Sequence, residues 1–103
     1  MPYREEPGGQ AQERVRPGLK EPTRYRVLLH NDDYTSMEFV VKVLESVFHK
    51  SPAEAYRIMM QVHSQGQGLC GIYPYDVAET RALTAQDLAR HEGFPLQTSI
   101  EKE

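Results

Sequence analysis

Length, composition and charge exclude several classes of protein. The chain has 103 residues, which suits one domain with a terminal extension rather than two domains. The net charge is −3, and Lys and Arg are not clustered in the part with regular patterns, so nucleic-acid binding is not expected. No apolar run is long enough to cross a membrane, and a single cysteine, Cys70, allows no internal disulfide. We expect a cytoplasmic protein that binds neither nucleic acid nor a membrane and needs no cofactor.

Composition divides the chain near residue 23. Residues 1–22 contain four prolines, three glycines and many charged residues, with almost no apolar periodicity. Such a segment cannot bury enough apolar surface to offset the entropy of ordering, so we predict a disordered N-terminal tail. Residues 23–103 have regular apolar patterns and are predicted to form the folded domain.

The folded part is predicted to begin with a strand and a helix. Residues 25–29 form an apolar run typical of a strand. Residues 35–49 have apolar residues at helical spacing, which predicts a helix. Thr35 and Glu38 have the spacing of a capping box, in which the first residue caps the helix and the second reaches back to it.

A second helix is predicted directly after the first. Ser51 is a good N-cap, and Pro52 suits the first turn, where an amide hydrogen is not needed. Gly66 and Gly68 are predicted to end this helix. Its inner face is expected to comprise Ala55, Ile58, Met59 and Val62.

Two strands and a third helix complete the domain. Residues 69–73 and 96–100 are predicted strands, and a helix is predicted to open at Asp76 and to stop before Gly93. The helix is expected to bury four alanines, Ala78, Ala82, Ala85 and Ala89. The order β-α-α-β-α-β predicts an α+β domain of two layers, in which the helices pack on a small sheet.

A strand-to-helix corner is the strongest functional signal in the chain. Asn31, Asp32 and Asp33 lie between the first strand and the first helix, on a short tether. Their side chains can present several oxygen acceptors to one small cationic group.

The two helices supply apolar residues that can complete a site at this corner. Met59 and His63 are four residues apart, so their side chains share one face of the second helix. If the two helices form a hairpin over the sheet, an apolar hollow would lie below the corner, lined by Met37, Val40, Met59 and Val62. Polar acceptors above such a hollow match an ammonium group next to an apolar side chain. The N-terminal residue of a polypeptide has this chemistry.

Other interpretations fit parts of the same pattern. Asp32, Asp33 and His63 are also residue types that bind a metal ion or act as acid–base groups in a small hydrolytic domain. An interaction domain like that of the ribosomal stalk is a third class. Each feature also has a structural explanation: carboxylates are common in turns, methionine commonly fills a core, and Cys70 lies within an apolar strand.

The chain resembles the ClpS family from about residue 24 to its C-terminus. The resemblance rests on N-D-D-Y-T-S-M-E-F-V at 31–40 and on M-x-x-V-H at 59–63, with further similarity in L-C-G-I-Y, V-A-E-T and F-P-L-Q-T-S-I. Members of this family are adaptors, not enzymes, that deliver proteins with a destabilising N-terminal residue to a Clp AAA+ protease. The resemblance implies a three-stranded antiparallel sheet in the order 1-3-2 with three helices.

The resemblance also implies roles for individual residues. Asn31, Asp32 and His63 would bind the α-amino group of the substrate. The family accepts Leu, Phe, Tyr or Trp as the first residue, and the pocket for that side chain would comprise Asp33, Thr35, Met37, Val40, Met59, Val62 and Leu96. Met37 occupies the position of a gate against β-branched side chains.

The implied partner is the N-terminal domain of a ClpA- or ClpC-type unfoldase. Its contacts would fall on Asp76 and Arg81, where Glu and Lys are familiar in the family. The charge is kept at both positions, but reach and geometry differ. Ser36 stands where many members have Pro, and residues 1–22 have a length and composition compatible with engagement of the unfoldase pore.

Overall fold

The computed structural model describes residues 22–103, so nearly all of the predicted tail lies outside the described residues. The predicted order β-α-α-β-α-β and the α+β class are confirmed. The elements are β1 (Arg24–His30), α1 (Met37–Ser46), α2 (Pro52–Gln65), β2 (Gln67–Pro74), α3 (Tyr75–His91) and β3 (Gln97–Lys102). Within this part of the chain, no helix is long and apolar enough to cross a membrane.

The sheet is antiparallel, but its strand order differs from the implied one. The order is β2-β1-β3, so the implied order 1-3-2, which puts the third strand in the centre, is wrong. The sequences of the strands explain the arrangement. β1 includes a V-L-L run that is buried throughout, which suits a central strand, whereas the polar strand Q-T-S-I-E-K of β3 suits an edge.

The N-cap of α1 lies one residue later than predicted. Ser36 is the N-cap, with φ −70° and ψ 152°, and its hydroxyl accepts the amide N–H of Phe39 at 3.1 Å. Thr35 was predicted to cap the helix, but its hydroxyl donates to the Asp32 carboxylate at 2.6 Å. Thr35 therefore stabilises the preceding loop, and Met37 becomes the first residue of the helix.

The end of α1 lies before the predicted His49. The helix ends at Ser46, and the chain then turns, with His49 at φ 56° and the Lys50 amide donating to the Leu44 carbonyl at 3.0 Å. The apolar pattern continues past the end of the helix because Val47 and Phe48, which follow Ser46, are also buried.

The second helix begins as predicted and ends at the first of the two predicted glycines. Ser51 accepts the Glu54 amide at 3.2 Å, and the left-handed Gly66, at φ 90°, ends the helix. Gly68 lies within β2 instead, paired with Leu29 of β1. A Cβ atom on Gly68 would stand 2.7 Å from Cγ2 of Val62, so this glycine allows α2 to approach β2 closely.

The core lies between the sheet and the helices. The predicted inner faces of α2 and α3 are buried, including all four alanines of α3. The third helix begins at Tyr75, one residue before the predicted Asp76, and Pro74 precedes it without a side-chain cap. Cys70 belongs to this core, and burial raises the pKa of its thiol to about 12, so the thiol is neutral near pH 7.

Candidate functional site

A cavity of about 420 Å³ opens where the loop after β1 meets α1 and α2. It brings together nine of the ten residues predicted for the substrate site, and it adds Ser36 and Glu38. The residues that line it are Asn31, Asp32, Asp33, Thr35, Ser36, Met37, Glu38, Val40, Met59, Val62 and His63. Leu96 is the exception: it is buried in the core, with 3% of its surface exposed, and it does not belong to this lining.

Backbone pairing brings the two halves of the cavity together. The amide N–H of Asn31 donates to the carbonyl of Gly66 at 2.9 Å, directly after the pairing of His30 with Gln67. The corner that follows β1 therefore lies against the C-terminal end of α2. His63 occupies the last turn of that helix, and this is why residues about thirty positions apart share one mouth.

Asp32 shapes the loop that forms one side of the mouth. One carboxylate oxygen accepts the amide N–H groups of Tyr34 and Thr35, at 2.7 and 2.8 Å, and the other accepts the Thr35 hydroxyl at 2.6 Å. Asp32 therefore stabilises its own turn, as carboxylates commonly do. A carboxylate has about four acceptor positions, so these three bonds leave capacity for a further donor.

The electrostatics of the mouth favour a cation. Three carboxylates, those of Asp32, Asp33 and Glu38, belong to the lining, whereas no Lys or Arg of residues 22–103 does. The C-terminal end of α2 adds the negative end of its helix dipole on the side of His63. An ammonium group is therefore a better match than an anion.

The lower part of the cavity is apolar. Val40, Met59 and Val62 are buried and form part of its wall. Met37 lies in the first turn of α1 with 42% of its surface exposed, so it stands at the rim. The wall can contact a large apolar side chain while the mouth contacts a charged group.

The two residues implied as unfoldase contacts lie elsewhere. Asp76 and Arg81 line a separate groove of about 520 Å³ between the end of α1 and α3. Asp76 is exposed and accepts the amide N–H of Val77 at 2.9 Å. This groove is a distinct surface from the cavity at the corner.

Arg81 is engaged within the domain rather than free. Its Nη1 donates to the carbonyl of Val47 at 2.5 Å, and its guanidinium carbon lies 5.2 Å from the centre of the Tyr73 ring. Burial raises the pKa of Tyr73, and the charge of Arg81 opposes that rise. The side chain thus joins α3 to the end of α1 and to β2, a structural role that sequence spacing did not indicate.

The described residues do not form an evident metal site. Among residues 22–103, no group of three or more His, Cys, Asp and Glu side chains is placed to hold a metal ion.

The fold and the cavity define a small α+β binding domain with an acidic mouth and an apolar wall. The family model for "ATP-dependent Clp protease adaptor protein ClpS" matches residues 20–99. The chain belongs to the ClpS family. It is therefore an adaptor of the Clp protease and not an enzyme, and the alternative of a small hydrolytic domain is wrong.

Relatives with high identity support this assignment. The chain is similar to the ATP-dependent Clp protease adapter protein ClpS of Maricaulis maris, with 56% identity over 90 residues, which are 87% of this chain and 83% of that one. It is also similar to the ClpS of Oleidesulfovibrio alaskensis, with 57% identity over 84 residues, which are 82% of this chain and 81% of that one.

A solved structure of the same family has a similar fold. The structure of Agrobacterium tumefaciens ClpS2 bound to L-phenylalaninamide matches this chain with a TM-score of 0.78 and 43% sequence identity. The match covers 81% of this chain and 100% of that one.

Proposed function

We propose that this adaptor recognises proteins whose N-terminal residue is Leu, Phe, Tyr or Trp and delivers them to a Clp AAA+ unfoldase-protease. The observation that carries the proposal is the cavity that combines an acidic mouth with an apolar wall. The similar ClpS2 binds L-phenylalaninamide, which has a free α-amino group, an aromatic side chain and an amide in place of the first peptide bond. The amino group of that ligand matches the acidic mouth of the cavity described here, and its aromatic side chain matches the apolar wall.

Recognition of the free amino group is assigned to the mouth. Asn31, Asp32 and His63 offer oxygen and nitrogen acceptors to the three hydrogens of an ammonium group. An internal Leu or Phe has no ammonium group, so these acceptors would lose water without gaining a partner. The penalty is larger when a charged group loses its partner. The mouth therefore tests for a chain terminus rather than for a side chain.

Recognition of the first side chain is assigned to the apolar wall. Burial of a Leu or Phe side chain contributes about 1.5–3 kcal/mol relative to leaving it exposed. A small or polar first residue would forgo that contribution while still presenting an ammonium group. Only a terminal residue that is also large and apolar satisfies both parts of the cavity, and this combination defines the proposed degradation signal.

Delivery is assigned to a second surface. We infer that the groove with Asp76 and Arg81 contacts the N-terminal domain of a ClpA- or ClpC-type unfoldase. The separation of this groove from the cavity lets the adaptor hold the substrate and the unfoldase at once. Tethering then raises the effective concentration of the substrate at the unfoldase.

Fluorescence anisotropy with labelled peptides tests the proposal directly. A peptide that begins with Leu or Phe is expected to bind, whereas the same peptide with an acetylated N-terminus or with Gly in the first position is expected to bind at least tenfold more weakly, about 1.4 kcal/mol. Delivery is measured as accelerated degradation of a Leu-starting protein by the unfoldase and its peptidase. Equal binding of the acetylated and free peptides would show that the mouth does not recognise an amino group.

A further inference from the structure

A second hollow lies beside the cavity, on the other side of two methionines. This trough has a volume of about 400 Å³ and is lined by Met37, Glu38, Val41, Tyr56 and Met59. Met37, Met59 and Glu38 line the cavity as well, so they form the wall that the two hollows share. Val41 and Tyr56 line the trough and not the cavity. The proposed site for the first residue is thus continuous with a further apolar surface.

The trough carries large apolar side chains in contact with solvent. Tyr56 is 59% exposed and Met37 is 42% exposed, although both stand on helices whose other faces are buried. Glu38 supplies the carboxylate of its lining and remains exposed at the rim. Contiguous exposed apolar surface commonly marks a binding site, and this one favours an apolar group over an acidic one.

We propose that the trough binds the side chain of the second residue of the substrate and favours a large apolar residue there. The inference rests on the proposed function, since it needs the amino group held at the mouth. The inference is based on a comparison of two distances: the separation of the mouth from the trough along α2, and the distance from the amino group of a peptide to its second side chain. His63 and Tyr56 are seven residues apart on this helix, about 10 Å along its axis. The second Cα lies about 5 Å from the α-amino nitrogen, and a large side chain extends about as far again.

The chain offers a variant and a matched control. Tyr56→Ser removes the aromatic surface of the trough and leaves every residue of the cavity lining in place. Met60→Ser removes a neighbouring side chain that is 38% exposed on the same helix but belongs to neither lining. Both positions are exposed, so both variants are expected to fold.

The experiment compares two peptides, Leu-Phe and Leu-Gly, that are identical from the third residue onward. The wild-type protein is expected to prefer Leu-Phe by about fivefold, because the second side chain is partly buried. Tyr56→Ser is expected to reduce the preference to less than twofold while the affinity for Leu-Gly stays the same. Met60→Ser is expected to keep the wild-type preference.

Several results would overturn the inference. Equal affinity of the wild-type protein for the two peptides, or a preference that survives Tyr56→Ser, would remove the second side chain from the trough. If the wild-type protein binds a Leu-Gly-Phe peptide as tightly as Leu-Phe, the trough is assigned to the third residue instead. If Tyr56→Ser changes the oligomeric state of the free protein, measured by sedimentation, but not the peptide preference, a second copy of the chain covers the trough instead. Failure of both peptides to bind would instead overturn the proposed function itself.

Discussion

Asp32 illustrates how one side chain can shape a loop and also line a site. Its carboxylate accepts three hydrogen bonds from Tyr34 and Thr35 and belongs to the mouth of the cavity. Removal of the side chain would disturb both features together. A substitution that keeps the acceptor geometry but removes the charge can separate them.

We expect Asp32→Asn to retain the fold and to weaken peptide binding. The amide oxygen of Asn can accept the two backbone N–H groups, and the Thr35 hydroxyl can reorient toward the amide nitrogen. The free energy of unfolding should then change by less than about 1 kcal/mol, while loss of the charge lowers affinity for a Leu-starting peptide by roughly threefold to tenfold. Urea denaturation and anisotropy measure the two quantities.

Asp32→Ala is the contrasting variant, because it leaves two amide N–H groups without their acceptor. Its free energy of unfolding should fall by about 1–3 kcal/mol. Unchanged peptide affinity in the folded Asp32→Asn protein would exclude the charge of Asp32 from amine recognition.

Met37 stands at the rim shared by the cavity and the trough, and its exposed fraction is 42%. We expect Met37→Ala to admit peptides that begin with Ile or Val. Removal of the thioether chain opens space beside the β-carbon of the first residue, and loss of a partly exposed side chain should cost little stability. Anisotropy with Ile-, Val- and Leu-starting peptides checks the result, with Leu as the control that still binds. A folded Met37→Ala protein that rejects both β-branched residues would show that Met37 is not the gate.

At the scale of elements, the position of α2 over the sheet depends on a glycine in β2. A Cβ atom on Gly68 would lie 2.7 Å from Cγ2 of Val62 and 3.2 Å from Cγ2 of Ile58. The same helix carries Met59 and His63 into the site. The absence of a side chain at Gly68 thus lets α2, which carries both site residues, pack closely on β2.

Gly68→Ala is expected to lower the free energy of unfolding by about 1–3 kcal/mol through overpacking. The partner variant is Val62→Ala, which removes the methyl group that the new Cβ would meet. In that background the cost of Gly68→Ala should fall by at least half, because neighbouring substitutions are coupled. Urea denaturation of the four proteins measures this coupling, and strictly additive costs would refute the contact.

The burial of β2 also determines the reactivity of Cys70. Burial raises the pKa of its thiol from 9.0 to about 12, which increases the pH at which the reactive thiolate forms. At pH 8 we expect iodoacetamide to alkylate the folded protein on the order of a thousandfold more slowly than the protein unfolded in urea. Mass spectrometry of the modified chain gives both rates. Comparable rates in the two states would place the thiol outside the core.

On the scale of the whole molecule, residues 22–103 contain every helix, every strand and the complete lining of the cavity described here. A chain that begins at Thr23 is therefore expected to bind a Leu-starting peptide with the affinity of the full chain. We expect the same truncated chain not to accelerate degradation by the unfoldase and peptidase, since residues 1–22 have a length and composition compatible with engagement of the unfoldase pore. Anisotropy and a degradation assay separate the two functions. Weakened peptide binding by the truncated chain would assign part of the site to residues 1–22.

Much of the fold could be predicted because its signals are local. The cap and first turn of α2 depend on Ser51 and Pro52, which are adjacent in the chain. The buried faces of the helices follow from spacing alone, and the acidic corner follows from its place between a strand and a helix. These features need no knowledge of distant residues, so periodicity and capping preferences were sufficient.

Other features were decided by contacts between distant or competing groups. Thr35 and Ser36 are both good N-cap residues. Ser36 caps α1 because the Thr35 hydroxyl donates to the Asp32 carboxylate instead. Gly68 resembled a helix terminator, but its close contact with Val62 assigns it to the packing of β2 on α2. In each case a single local pattern fitted two structures, and a specific partner selected one.

The sequence by itself determined the elements, their order and the chemistry of the corner, because these depend on neighbours along the chain. Only the tertiary structure decided that β1 is the central strand, that Leu96 lies outside the cavity lining and that Arg81 binds the carbonyl of Val47. Strand order and long-range hydrogen bonds depend on how the elements pack, since each element has several possible neighbours that its own periodicity does not distinguish.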